Sequence, residues 1–245
     1  MKRILTLLTF ILPIIGTING YGQDQKKIDS LNNELKKFEV KKKELKNKVP
    51  AMYDTTKANI LYAISREYSI SKFDTAILLT NQVLALSKQM GYKKGIGNYY
   101  QGMGNISKSK NNLEQALEYY QKALKIREEI GDKKAVISTT NTIANIYFNN
   151  DYPKAIVYFE KALKLNEEIS DSIGISDSYD NVGSAYANQA NYPEALKYFL
   201  KRLKVNQDIG IKSRIANSYN DVGFIYDQIG NYPDAIIYYQ LALNI

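Results

Sequence analysis

A pattern that returns at a nearly constant period is the feature that most constrains the fold of this chain. Five alanines mark it, each following the last by almost the same interval: Ala76, Ala116, Ala155, Ala195 and Ala235. A small residue precedes each alanine, at Ser65, Gly104, Ala144, Gly183 and Gly223. An aromatic residue follows four of them, at Tyr120, Phe159, Phe199 and Tyr239, whereas Thr80 holds this position in the first copy. Repetition at a fixed period of roughly 40 residues predicts stacked structural units.

Each unit has the pattern of two helices joined by a short turn. In the fourth copy, apolar and small residues lie at i, i+3, i+4 and i+7, which places them on one helix face: Tyr179, Val182, Gly183 and Tyr186. Pro193 fits the first turn of a second helix, where its missing N–H is not needed. A glycine inside a helix costs about 1 kcal/mol relative to alanine, so Gly183 predicts that a neighbouring helix packs too close for a side chain.

These repeated residues resemble the tetratricopeptide repeat family over about residues 53–245. The family period is about 34 residues, and the longer units here resemble those of kinesin light chains and Pins/LGN adaptors. The sequence departs from the family pattern because it has no Trp, because Ser107 lies where other copies have Tyr, and because Arg202 replaces a small residue. The resemblance implies an all-α, right-handed superhelical solenoid of antiparallel helix hairpins. Its five units span 53–91, 92–131, 132–170, 171–210 and 211–245, the last incomplete.

The first 22 residues have the features of a secretory signal peptide. Lys2 and Arg3 precede an apolar run from Ile4 to Ile18, and Gly20 and Gly22 are small residues suited to cleavage before Gln23. The run has 15 residues, fewer than the about 20 that span a bilayer. We therefore expect export to the periplasm, the cell envelope or the medium. The alternatives are an uncleaved membrane anchor and, after it, a buried core helix.

Residues 23–50 predict a lysine-rich amphipathic helix that precedes the repeats. Its apolar residues follow heptad spacing: Ile28, Leu31, Leu35, Phe38, Leu45 and Val49. The pattern fits either a coiled coil that forms a homo-oligomer through residues 28–49 or a helix docked on the first repeat. Residues 1–50 hold 11 of the 33 Lys and Arg but only 5 of the 25 acids, so the repeats are close to neutral. Without a basic stripe along the repeats, we expect no nucleic-acid partner.

The residues needed for most catalytic and metal sites are missing from the composition. The chain has no His and no Cys, which excludes imidazole catalysis, thiolate nucleophiles and the usual zinc ligands. Asp177 and Asp180 lie three residues apart on one helix face, but no glycine-containing loop or second acidic cluster accompanies them. We therefore expect no enzymatic activity, no catalytic residues, no metal and no cofactor.

The first helices of stacked hairpins line a concave surface, where such arrays bind extended segments of partners. Carboxamides recur at the positions that face it, although Asn is a poor helix former. A row of them provides donors and acceptors to a peptide main chain, and similar rows line the groove of the related adaptors. Lysines and arginines that bind a terminal carboxylate in other family members are replaced by Asn and Asp, so we expect no such clamp. The predicted groove residues are Asn98, Gln101, Asn105, Asn141, Asn145, Asp177, Asp180, Asn181, Asn217, Asn220 and Asp221.

Two classes of function agree with these features. The first is an exported, non-enzymatic scaffold that binds a protein or an extended peptide segment. The second is the sensing ectodomain of a membrane signalling protein, a sensor kinase or transcription regulator, that continues beyond Ile245. The final helix leaves Leu241, Leu243 and Ile245 on an apolar open end, which predicts either further chain or contact with another chain. Contact with a membrane is expected only if the signal stays uncleaved or the chain continues.

Overall fold

The computed structural model describes residues 25–44 and 51–245, which form eleven α-helices. The signal-peptide prediction and the apolar residues Leu45 and Val49 lie outside this part of the chain. The first six helices are α1 Gln25–Glu44, α2 Ala51–Tyr68, α3 Phe73–Gln89, α4 Lys93–Ser109, α5 Leu113–Glu129 and α6 Lys133–Tyr147. The remaining five are α7 Tyr152–Glu168, α8 Ser172–Asn188, α9 Tyr192–Ile209, α10 Lys212–Gln228 and α11 Tyr232–Leu243.

Five consecutive hairpins form the array, and α1 precedes them. Each hairpin pairs a first helix (α2, α4, α6, α8 or α10) with the second helix that follows it. Each second helix also packs against the next first helix, so the hairpins stack in sequence order. No strand occurs in the two described segments. The architecture confirms the all-α solenoid predicted from the repeat.

The small residue of the first helix lets the aromatic ring of the second helix approach its backbone. A Cβ atom built on Gly183 lies 2.8 Å from the ring of Phe199, and one built on Gly104 lies 2.5 Å from the ring of Tyr120. Real Cβ atoms do not come this close to a neighbour, so a larger residue forces the ring or the helix to move. The close approach predicted at Gly183 is therefore present, and Gly104 repeats it.

Three clusters of the hydrophobic core each join two consecutive hairpins, and a fourth lies in the first hairpin beneath α1. Tyr120 of α5 packs with Val136 and Ile143 of α6, and Phe199 of α9 packs with Val222 of α10. All five side chains are less than 5% exposed. Residues of both hairpins cover these side chains, so the stacking of hairpins contributes to apolar burial.

Helix α1 docks on the first hairpin. Ile28 is fully buried and Phe38 is 9% exposed. Ion pairs from Lys27 to Glu67 and from Lys42 to Asp54 link α1 to α2. The structure therefore has the docked arrangement of α1, and a homo-oligomer through residues 28–49 stays a prediction. Within residues 25–44 and 51–245, no helix combines the length and the apolar character that crossing a bilayer requires.

Candidate functional site

The first helices of neighbouring hairpins lie side by side and form one continuous surface, here called the first-helix face (α2, α4, α6, α8 and α10). Side chains bridge these helices directly. The Thr139 hydroxyl of α6 donates to Gln101 Oε1 of α4 at 3.2 Å. Arg214 Nη1 of α10 donates to Asp177 Oδ1 of α8 at 2.8 Å. These bonds place two of the predicted groove residues, Gln101 and Asp177, at contacts between neighbouring first helices.

Five of the predicted residues present free carboxamides on this face. Their side chains have no hydrogen-bond partner among the described residues, and the Asn141 carbonyl oxygen is buried without one. The other four are half-buried or exposed. Each amide offers two N–H donors and an acceptor oxygen. The free carboxamides are Asn141, Asn145, Asn181, Asn217 and Asn220.

Three other predicted carboxamides, Asn98, Gln101 and Asn105, form hydrogen bonds within the protein. Gln101 is 7% exposed and accepts from Arg127 Nη1 at 2.8 Å. Asn105 Oδ1 accepts from the Tyr120 hydroxyl at 2.9 Å and from Gln101 Nε2 at 3.3 Å. Asn98 Oδ1 accepts a long bond of 3.4 Å from Arg127 Nη2. These three side chains hold the second repeat together, and a ligand must compete with those bonds to reach them.

The three predicted acids are all ion-paired. Asp177 pairs with Arg214 as described above, while Arg202 pairs with both Asp180, at 3.2 Å, and Asp221. Burial raises the pKa of Asp221 to about 6, and the neighbouring Asp180 carboxylate adds to this although Arg202 opposes it. Burial also raises the pKa of Asp180. Arg202, which breaks the small-residue pattern of the repeat, thus joins α8, α9 and α10 through charge.

A polar cavity of 350 Å³ opens on the first-helix face between α2, α4 and α6. Two arginines contribute to it, Arg66 and Arg127, and sequence reasoning missed both. The expectation of no carboxylate clamp rested on the first-helix positions where related proteins carry cations, whereas Arg127 reaches the face from the end of α5. An alignment of the ends of the second helices would have shown that Arg127 is the charged residue at a position where the other repeats have none. The lining residues are Tyr62, Arg66, Gln101, Asn105, Arg127, Ala135, Ser138 and Thr142.

The electrostatics of this cavity are set by Arg127. It is 6% exposed, and burial lowers the pKa of its guanidinium below the usual value. Burial raises the pKa of the nearby Tyr62 phenol, while the charges of Arg127 and Arg66 oppose that change. In the part of the chain that the structure describes, no group of three or more acidic side chains is arranged to hold a metal ion.

Comparison with known proteins agrees with this geometry. The sequence profile of the tetratricopeptide repeat matches residues 95–168 and 174–245, more than half of the chain. The chain belongs to the tetratricopeptide repeat family. No curated protein sequence matches it.

Solved structures with the same fold have low sequence identity to this tetratricopeptide repeat array. BtubC (BKLC) from P. vanneervenii matches with a TM-score of 0.75 at 16% identity, over 90% of this chain and 89% of that one. The putative kinesin light chain repeats of Podosopora anserina match with a TM-score of 0.62 at 13% identity, over 75% and 92%. A Rap protein complexed with Competence and Sporulation Factor matches with a TM-score of 0.55 at 15% identity, over 92% and 67%. The likeness to kinesin light chain repeats confirms the long-period interpretation of the sequence.

Proposed function

We propose that the first-helix face binds an extended peptide segment of a partner protein and that the protein is a scaffold without catalytic activity. The observation that carries this proposal is the set of five free carboxamides on α6, α8 and α10. A peptide loses free energy when its amides are buried without partners, so a binding surface must supply donors and acceptors at intervals. Asn141, Asn145 and Asn181 do so in successive repeats, and Asn217 and Asn220 continue the row.

The tetratricopeptide repeat fold supports this proposal because a related array binds another molecule. The Rap structure contains Competence and Sporulation Factor. In the present chain, neutral hydrogen bonds contribute only about 0.5 to 1.5 kcal/mol each, so affinity must come from several repeats together.

A triple substitution tests the peptide-binding proposal. We expect Asn145→Ala, Asn181→Ala and Asn220→Ala together to weaken binding of a peptide recovered from the partner by about tenfold or more, from three lost hydrogen bonds. The matched control replaces Asn81, Asn150 and Asn188, which are exposed and lie outside the row of free carboxamides. Isothermal titration calorimetry measures the affinity of both variants for the peptide. Equal affinities of the two variants would place the binding site elsewhere.

We also propose that the protein acts after export. The support is the basic start, the short apolar run and the small residues at Gly20 and Gly22. Intact mass of protein isolated from its native host is the test. Recovery of chains that begin at Met1 would contradict cleavage.

A second candidate is the sensing ectodomain of a membrane signalling protein. Apolar side chains of α11 favour it: Ile236, Ile237 and Leu243 are 54%, 51% and 84% exposed. A further helix or another protein would remove this surface from water. The reading frame of the gene distinguishes the candidates, because a membrane span followed by a kinase or DNA-binding domain would establish the second.

A further inference from the structure

The contact between the fourth and fifth hairpins carries charges that the preceding contact lacks. We call the group of Asp180, Arg202 and Asp221 the charged junction. One repeat earlier, between the third and fourth hairpins, the same three positions hold neutral residues, here called the neutral junction. The equivalent pairs are Asn141 and Asp180, Ala162 and Arg202, and Asn181 and Asp221. Ala162 is fully buried and α7 packs on α8, so hairpins stack at this position without any charge.

Both acids of the charged junction share one guanidinium nitrogen. Arg202 Nη1 of α9 contacts Asp180 Oδ1 of α8 at 3.2 Å and also Asp221 Oδ2 of α10. Arg202 Nε is buried without a hydrogen-bond partner among the described residues. Two negative charges therefore face one positive charge, and the junction carries an excess negative charge that the neutral junction does not have.

The neighbouring charged groups leave this excess in place. Arg214 of α10 pairs with Asp177 of α8 at 2.8 Å, and the two charges act on Asp180 in opposite directions. On α9, Lys201 lies over two tyrosine rings. The one charged residue of α11 is Asp234, an acid that accepts a hydrogen bond at the start of that helix. The excess charge is therefore confined to the charged junction.

The ionised junction is more stable when water reaches its carboxylates. Burial and the charge of Asp180 raise the pKa of Asp221 to about 6, although Arg202 opposes both. A carboxylate of aspartic acid in water has a pKa of about 4. The closed junction therefore binds a proton more tightly than an open, hydrated one, and closure is favoured as the pH falls through about 6.

We propose that the charged junction is a proton-controlled coupling between the fourth and fifth hairpins. With both acids ionised, α8 and α10 move apart and water reaches the carboxylates. Uptake of one proton removes the excess charge, and the helices close. The arrangement in which both acids contact Arg202 is the closed one.

The coupling regulates peptide binding, a consequence that rests on the proposed function. Asn181 directly follows Asp180 on α8, and Asn220 directly precedes Asp221 on α10. Separation of the two helices therefore moves two of the free carboxamides apart. Because the affinity depends on hydrogen bonds to several repeats together, we expect the closed form to bind the peptide more tightly.

Spin labels measure the opening without any ligand. The chain has no cysteine, so cysteines introduced at the exposed last residues of first helices are the only labelling sites. The test pair, Ser109→Cys with Gln228→Cys, spans the charged junction. The matched control pair, Ser109→Cys with Asn188→Cys, ends before it and spans the neutral junction. Pulsed electron paramagnetic resonance should show that the ratio of closed to open distances rises about tenfold from about pH 7.5 to about pH 5 in the test pair, and not in the control pair.

Two variants connect this response to the charged junction. Asp221→Asn introduces the residue that Asn181 provides at the neutral junction, and the test pair should then stay closed at both pH values. Asp208→Asn removes an exposed acid of α9 outside the junction and should keep the pH response. Circular dichroism at both pH values checks that each protein is folded. Distances in the test pair that do not depend on pH, or a pH response that persists in Asp221→Asn, would overturn the inference.

The design separates this inference from the proposed peptide binding, because the labelled protein contains no peptide. If the test pair responds to pH but the peptide recovered from the partner binds equally at both pH values, the coupling stands and its regulation of binding is wrong. If the peptide binds more tightly at about pH 5 while the test pair shows no response, peptide binding stands and the coupling is wrong. Equal binding by the triple asparagine variant and its control would overturn only the proposed function.

Discussion

Two carboxylates share one buried guanidinium at the junction of α8, α9 and α10, and removing one of the negative charges should stabilise the protein. The perturbation is Asp221→Asn, which keeps the shape of the side chain and removes its charge. Asp221 lies beside Arg202 together with Asp180, so the cluster carries an excess negative charge. Arg202 is 8% exposed, and the two carboxylates are only partly exposed, so water compensates that excess only in part.

The expected gain in stability of Asp221→Asn follows from the pKa of Asp221, which is raised from 3.8 to about 6. An acid with a raised pKa binds its proton more tightly in the folded protein than in the unfolded chain, so stability increases as the pH falls through about 6. A pKa difference of about 2 corresponds to about 3 kcal/mol at neutral pH. The side chain is 30% exposed, and solvent screening reduces the expected gain to about 1 to 3 kcal/mol.

Urea unfolding followed by circular dichroism measures this gain. We expect Asp221→Asn to be more stable than the wild type at about pH 7.5 and equal to it near pH 4, where Asp221 is protonated in the folded state. Asp177→Asn is the control, because its ion pair is exposed and contributes at most about 1 kcal/mol. The double variant Asp180→Asn, Asp221→Asn should be less stable than either single variant, since it leaves Arg202 buried without a counter-charge. A destabilised Asp221→Asn at neutral pH would refute the reasoning.

Three further predictions concern the repeat core and the mature N-terminus. Phe199→Ala should lower the free energy of unfolding by about 3 to 5 kcal/mol, whereas Asn145→Ala, at an exposed position, should be nearly neutral. If urea unfolding shows that the Phe199 variant is as stable as the wild type, the ring is not in the core. Gly104→Ala should cost about 1 to 3 kcal/mol because its Cβ meets the ring of Tyr120, and a thermal melt that matches the wild type would exclude that contact. The mature chain should begin near Gln23, which N-terminal sequencing of protein from the native host checks.

The sequence by itself determined the hairpins and their stacking. Ala195, Phe199 and Gly183 lie within one repeat, so their periodic spacing alone specifies which helix faces meet. Nearly identical spacing in five copies then requires that each apolar face be covered by the next copy. The same spacing predicts that the asparagines of the first helices share one surface.

Only the tertiary structure decided how the charged residues are used. Arg202 contacts one acid that precedes it in the chain and another that follows it, on two different first helices. Arg127 contacts Gln101 and Thr139, which also belong to two different hairpins. No periodic pattern encodes these pairings, because each charged residue occurs in a single copy of the repeat. Whether a long arginine side chain reaches the first-helix face depends on the distance and angle between neighbouring hairpins, which the packing of all the apolar contacts sets together.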